Sequence, residues 1–139
     1  MKAIIVHSTS KFQRSLNIAK TIDGDIYRIE HVKKPIKSMF FQMIVYGFQT
    51  VAKKSVLIKP IQIDFDKYDE VYLISPVWAG HINAYMRQFL KEHLIKNKKI
   101  HIIGTCLGDN IKYFDDFKLY LDESNEIVEE SLYVKGEKQ

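Results

Sequence analysis

A doubly wound α/β domain with five parallel strands in the order 2-1-3-4-5 is the fold this sequence predicts. Three observations carry it. Hydrophobic periodicity switches regularly between strand-like and helix-like along the chain, the pattern of successive βα units. Residues 70–75 are apolar on both faces, as the centre of a parallel sheet requires. The 139 residues suit one domain, 1–139, and contain no linker, internal repeat or low-complexity tract.

The elements follow in order. Residues 2–7 are a short apolar run and read as a buried strand. Residues 15–22 place Leu16, Ala19 and Ile22 at helical spacing, and Asp23-Gly24 ends that helix. Residues 25–30 read as the second strand. In the next segment Phe40, Met43, Ile44, Gly47 and Val51 share one helical face, which predicts a helix over 37–54 flanked by Lys33, Lys34, Lys37, Lys53 and Lys54. A crossover helix is needed here to join parallel strands. A basic amphipathic helix resting on a membrane or a partner is the competing reading. After strand 3, Asn83 is placed to cap a helix carrying Met86, Phe89, Leu90, His93 and Leu94 on one face. His93 reads there as a core-edge residue rather than a ligand. Residues 99–104 form the fourth strand. A helix from about Ile111 turns Phe114, Phe117 and Leu121 inward, and residues 126–134 are the last strand. Only residues 135–139 follow it, so the helix that would complete a three-layer sandwich is missing.

Composition narrows the function. Lys and Arg number 21 against 17 Asp and Glu, a net charge of +4 that favours an anionic ligand or an acidic partner. No basic stretch interleaved with stacking aromatics is present, so nucleic acid is not expected. No apolar run approaches the roughly 18–20 residues that cross a bilayer, and the N-terminus has no signal-peptide pattern. The one cysteine, Cys106, excludes an internal disulfide and suits a cytoplasmic location. The histidines show no metal-ligand spacing.

In the order 2-1-3-4-5 the chain reverses direction between strands 1 and 3, and ligands bind in the crevice outside the strands' carboxyl ends. Three loops meet there: 8–15, 75–82 and 105–110. In the second, Pro76 restrains the backbone, while Ala79 and Gly80 let main-chain amides approach a flat ring closely. Trp78 either lies against such a ring or plugs the loop onto the core. His81 either touches the ring's edge or is solvated. In the first loop, Ser10 and Gln13 have the spacing of a capping box. In the third, Gly108 allows close backbone approach, and Asp109 or Asn110 can cap the following helix. Cys106 reads as a small loop or core residue, with no base beside it to make it a nucleophile.

On these residues the sequence resembles the flavodoxin-like family, including its FMN-dependent oxidoreductase branches. The resemblance is carried by Tyr68-Asp69 leading through strand 3 into Ser75-Pro76-Val77-Trp78-Ala79-Gly80, by residues 8–15, and by Gly104-Thr105-Cys106-Leu107-Gly108. It implies FMN as the cofactor. Ser8, Thr9, Ser10, Lys11, Phe12, Gln13, Arg14 and Ser15 would then hold the phosphate. Pro76, Val77, Trp78, Ala79, Gly80 and His81, with Thr105, Cys106, Leu107, Gly108 and Asp109, would hold the ring. It further implies electron transfer to a redox partner protein, or reduction of a small acceptor. Where the family carries Ser/Thr-x-Thr-Gly-x-Thr, this chain has Phe12 for a hydroxyl and Gln13 for the glycine. That departure motivates the alternative of a cofactor-free interaction or regulatory module on the same fold. The face left open by the missing helix, with Ile127, Glu129, Ser131 and Tyr133 outward, suggests self-association as a homodimer or docking on a partner.

Overall fold

The computed structural model describes residues 1–8, 13–31, 56–78, 81–106, 112–134 and 137–138. The expected helix over 37–54 lies outside these residues. The chain runs β1 (Lys2–Val6), α1 (Arg14–Ala19), β2 (Asp25–Arg28), a 3-10 turn at Phe65–Lys67, β3 (Glu70–Trp78), β4 (His81–Ile82), α2 (Ala84–Glu92), β5 (Lys99–Cys106), α3 (Tyr113–Lys118), β6 (Glu126–Val134) and β7 (Glu137–Lys138). The strands are ordered β2-β1-β3-β5-β6-β7, with β4 paired to β3. β2, β1, β3, β5 and β6 are parallel and are the five strands expected, in the expected order. Two short antiparallel additions, β4 and β7, fold back on β3 and β6.

Alternation along the strands divides the core. Ala3, Ile5, Val71, Leu73, Ile100 and Ile102 face one side, where Met86, Phe89 and Leu90 of α2 and Tyr113 and Phe117 of α3 cover them. Ile4, Val6, Tyr72, Ile74 and Ile103 face the other side, with Ala19 of α1. Asn83 caps α2 as expected: its side-chain oxygen accepts the Met86 N–H at 2.9 Å. The helix is shorter than its apolar pattern. It stops at Glu92, His93 turns extended, and Leu94 is left in solvent while Ile95 is buried. His93 closes that corner. Its ring stacks on Phe89 at 4.3 Å, and its Nε2 lies 2.9 Å from the carbonyl oxygen of Ile61. In α3, Phe117 is buried and Phe114 packs on the core's margin, as does Leu121 beyond the helix end, while the fully buried Tyr113 is the inward residue the pattern missed.

The face expected to lie open needs one correction. A bulge pairs Ile100 with Ile127 but His101 with Glu129, leaving Val128 as the extra residue. Ile127 therefore joins the helix-covered core, while Tyr133 packs on the α1 side. Between β3, β5 and β6 on that side the cover is polar. His101 stacks on Tyr72 at 3.9 Å, and its two ring nitrogens lie 2.8 Å from Glu70 and 2.7 Å from Glu129. Ser131 donates to Glu129, and Lys138 of β7 reaches the same carboxylate at 3.7 Å. The strap does locally what a helix does elsewhere: it buries Tyr72.

Candidate functional site

β1 has β2 on one side and β3 on the other, so crossovers leave it in both directions. The carboxyl ends of β1, β3 and β5 border the crevice this creates.

At the end of β1, His7 is fully buried, and its Nε2 is 2.8 Å from Nε2 of His31, just beyond β2. Both rings stack with Tyr85 of α2, at centroid distances of 5.0 and 3.8 Å. Burial, reinforced by the neighbouring His31, holds the His7 imidazole well below its ordinary range, against a hydrogen bond with Asn83. Burial pushes His31 down to about 4. The pair is thus a neutral, stacked floor tying β1 and β2 to α2.

The chain re-enters α1 through Gln13, which adopts a left-handed conformation (φ 49°) and makes no side-chain cap. Helix α1 begins at Arg14, so the expected capping box, with Ser10 as cap and Gln13 on the helix, does not form. A left-handed Gln13 cannot occupy the third helical position. The backbone here keeps the demand for a glycine-like conformation, although the side chain is Gln. Ser15 is buried and its hydroxyl lies 3.0 Å from that of Thr105, which ties α1 to the end of β5. Ser8 and Arg14 are half-buried.

The 75–82 segment is a hairpin rather than an open loop. β3 runs on to Trp78, and Val77 pairs with Ile82 and Trp78 with His81. Three side chains pin it. Asn83 donates to the Pro76 carbonyl at 3.0 Å. Tyr113 reaches the Ser75 hydroxyl at 2.8 Å, and burial pushes its phenol up. Asp116 of α3 accepts the Ile82 N–H at 3.2 Å and lies 3.4 Å from Nδ1 of His81. A Cβ on Gly104 would meet the Tyr113 ring at 2.7 Å, so β5 needs glycine there for Tyr113 to reach Ser75. Cys106 is buried at the end of β5. Tyr68 sits at the far, amino end of the sheet, where it donates to Asp25 at 2.7 Å.

Of the residues singled out from sequence, Ser8, Gln13, Arg14, Ser15, Pro76, Val77, Trp78, His81, Thr105 and Cys106 are gathered at this edge. Thr9, Ser10, Lys11, Phe12, Ala79, Gly80, Leu107, Gly108 and Asp109 lie outside the described residues, as does Asn110. The cap of α3 is Lys112, without a side-chain bond, rather than Asp109 or Asn110. Sequence reasoning missed His7, His31, Tyr85, Tyr113 and Asp116. His7, polar at the end of an apolar strand, carried a signal. Asp116, an acid on a short helix, carried none.

These features define an α/β domain of the flavodoxin-like kind with a built carboxyl edge. Solved structures share the fold. A flavoprotein from Lactobacillus acidophilus NCFM in complex with FMN superposes with a TM-score of 0.73 at 18% identity, covering 92% of this chain and 89% of that one. A candidate flavoprotein from Bacteroides eggerthii DSM 20697 also gives 0.73 at 18% identity, over 94% of this chain and 86% of that one. A third, from Bacteroides uniformis ATCC 8492, gives 0.71 at 13% identity, over 92% and 89%. No protein-family model and no curated protein sequence matches the chain.

Proposed function

We propose that this chain binds FMN at the carboxyl edge of its sheet and serves in electron transfer or in the reduction of a small acceptor. The observation that carries the reading is the hairpin 75–82, held beside the strand-order reversal by Asn83, Tyr113 and Asp116. The likeness to a flavoprotein solved with FMN supports it. The donor set fits a phosphorylated flavin: hydroxyls at Ser8 and Thr105, the Arg14 guanidinium and main-chain amides are suited to an anion and a polar ring edge. Asp116, the carboxylate set against the hairpin, is engaged with Ile82 and His81. FMN would supply the electron chemistry, and the chain's own residues would position it and exclude water.

Titrating the purified protein with FMN tests this directly. Flavin fluorescence is expected to be quenched with one FMN per chain. A folded protein that leaves it unquenched at high concentration favours the cofactor-free module instead. Arg14→Ala is expected to weaken FMN more than riboflavin, and equal losses would remove Arg14 from the phosphate site. A cytoplasmic redox partner and self-association belong to the same reading. Among the described helices none is long and apolar enough to cross a membrane. Sedimentation at micromolar concentration decides for or against a homodimer.

A further inference from the structure

Asp116 reaches across from α3 to the return strand of the hairpin, where one oxygen, Oδ2, faces two groups: the Ile82 N–H at 3.2 Å and Nδ1 of His81 at 3.4 Å. The carboxylate is mostly shielded (14% exposed), while the His81 side chain is 34% exposed on the rim. The ring turns Nδ1 toward the carboxylate and leaves Nε2 on its other side; in a neutral ring with its hydrogen on Nδ1, Nε2 is an acceptor. His81 is itself fixed by the backbone, paired with Trp78 three positions earlier. The carboxylate that faces the ring therefore stands outside the hairpin, on one residue of α3.

We propose that Asp116 is a positioning residue that presents Nε2 of His81 to the flavin, so that the site favours reduced over oxidised FMN. This rests on the FMN reading above. A reduced flavin carries an added ring N–H that the oxidised ring lacks, and an acceptor nitrogen on the rim discriminates between them. A contact stronger with one redox state than the other appears directly in the potential of the bound flavin, whereas a contact that merely shapes the loop weakens both states alike.

The test compares wild type, His81→Gln, Asp116→Asn and the double variant. Asn keeps a carbonyl for the Ile82 N–H but loses the carboxylate. The dissociation constant for oxidised FMN comes from fluorescence quenching, and the midpoint potential from equilibration with reference dyes. Together they give the constant for reduced FMN. His81→Gln is expected to weaken reduced FMN selectively by about tenfold, a fall of about 30 mV for a two-electron couple. Asp116→Asn should lower the potential in the same direction, with little further change in the double variant. A potential that rises in Asp116→Asn means the carboxylate acts as a bare charge, and overturns the proposal. So does an unchanged potential with both affinities weakened equally. In the apoprotein, hydrogen exchange at Ile82 should quicken in Asp116→Ala, which removes the acceptor, and not in His81→Gln; equal quickening in both overturns the assignment of Asp116 as the outside support. Should Asp116→Asn fail to fold, the potential of His81→Gln alone decides, because an unmoved value there removes His81 from the flavin. A wild-type protein that does not quench FMN fails the cofactor reading itself, which separates that failure from this one.

Discussion

The two faces of the sheet are closed by different means. On the α2 and α3 side, helices lay Met86, Phe89, Tyr113 and Phe117 over the strands, and all four are fully buried. On the other side, past the short α1, the imidazole of His101 between Glu70 and Glu129 covers Tyr72. The helical cover is held by apolar area, at roughly 25 cal/mol per Å² removed from water. The strap is held by charge-assisted contacts at a partly wetted surface, which are worth far less. The candidate site belongs to the first kind of construction: each polar group that pins the hairpin stands on the apolar platform of α2 or α3.

The largest expected effect follows from that difference. Phe117→Ala empties a fully buried position and is expected to destabilise the fold by about 3–5 kcal/mol. His101→Gln, on the other face, is expected to lose less than about 1 kcal/mol. Urea unfolding of the two variants measures both, and equal losses would abolish the contrast. Asn83→Ala comes next. It removes the cap of α2 and the bond to the Pro76 carbonyl together, and is expected to be less stable by about 1–2 kcal/mol. FMN affinity should fall with it, because the hairpin loses one of its three supports.

How much of this was legible depended on whether the governing physics is local. The strand and helix alternation follows from hydrophobic period, and the last strand ends where the pattern ends it, at 126–134. The Asn83 cap is likewise a local rule. What stayed hidden arises between distant segments. The bulge at Val128, which sends Ile127 to the helical face, depends on pairing with β5. The His7–His31–Tyr85 stack and the reach of Asp116 to Ile82 need three or two elements brought together. Leu94 was misassigned because helical period says nothing of where a helix stops. At Gln13 the sequence pointed the wrong way, since its spacing with Ser10 imitates a capping box while the backbone there is left-handed.

Gln13 offers a smaller test. A non-glycine residue in the left-handed region is disfavoured by roughly 1–2 kcal/mol, and glycine returns about 0.5–1 kcal/mol of that through its freer unfolded chain. Gln13→Gly is therefore expected to be more stable by about 0.5 kcal/mol. Combined with Phe12→Thr it should also tighten FMN. A loss of stability in the single variant would mean that the Gln13 side chain contributes more than its backbone strain removes.

The finest distinction between the faces lies in pH. His31 has a folded value of about 4 against an ordinary value near 6.5, and His7 is depressed too, chiefly by burial. Between those limits the unfolded chain binds more protons than the folded one, so stability rises with pH. The contribution is complete above about pH 6.5 and is lost as pH falls toward 4. The strap acts in a lower window. The bond from His101 holds the Glu70 carboxyl below its usual range. Burial works against ionisation of Glu129, but the bonds from Ser131 and His101 outweigh it, and its carboxyl is lowered as well. Their stabilisation is present above the ordinary carboxylate range, near 4.3, and is lost as pH falls through the lowered values. Stability against pH should therefore descend in two limbs. His31→Phe, which keeps an aromatic ring against Tyr85, should flatten the limb between about 6.5 and 4 and leave the lower one. Glu70→Gln should flatten the lower limb alone. Each change is expected to be about 1 kcal/mol or less, because His31, Glu70 and Glu129 are partly solvated and screened. Urea midpoints measured from pH 7.5 to 3 resolve it, and a single limb affected equally by both variants would show that the two faces titrate as one.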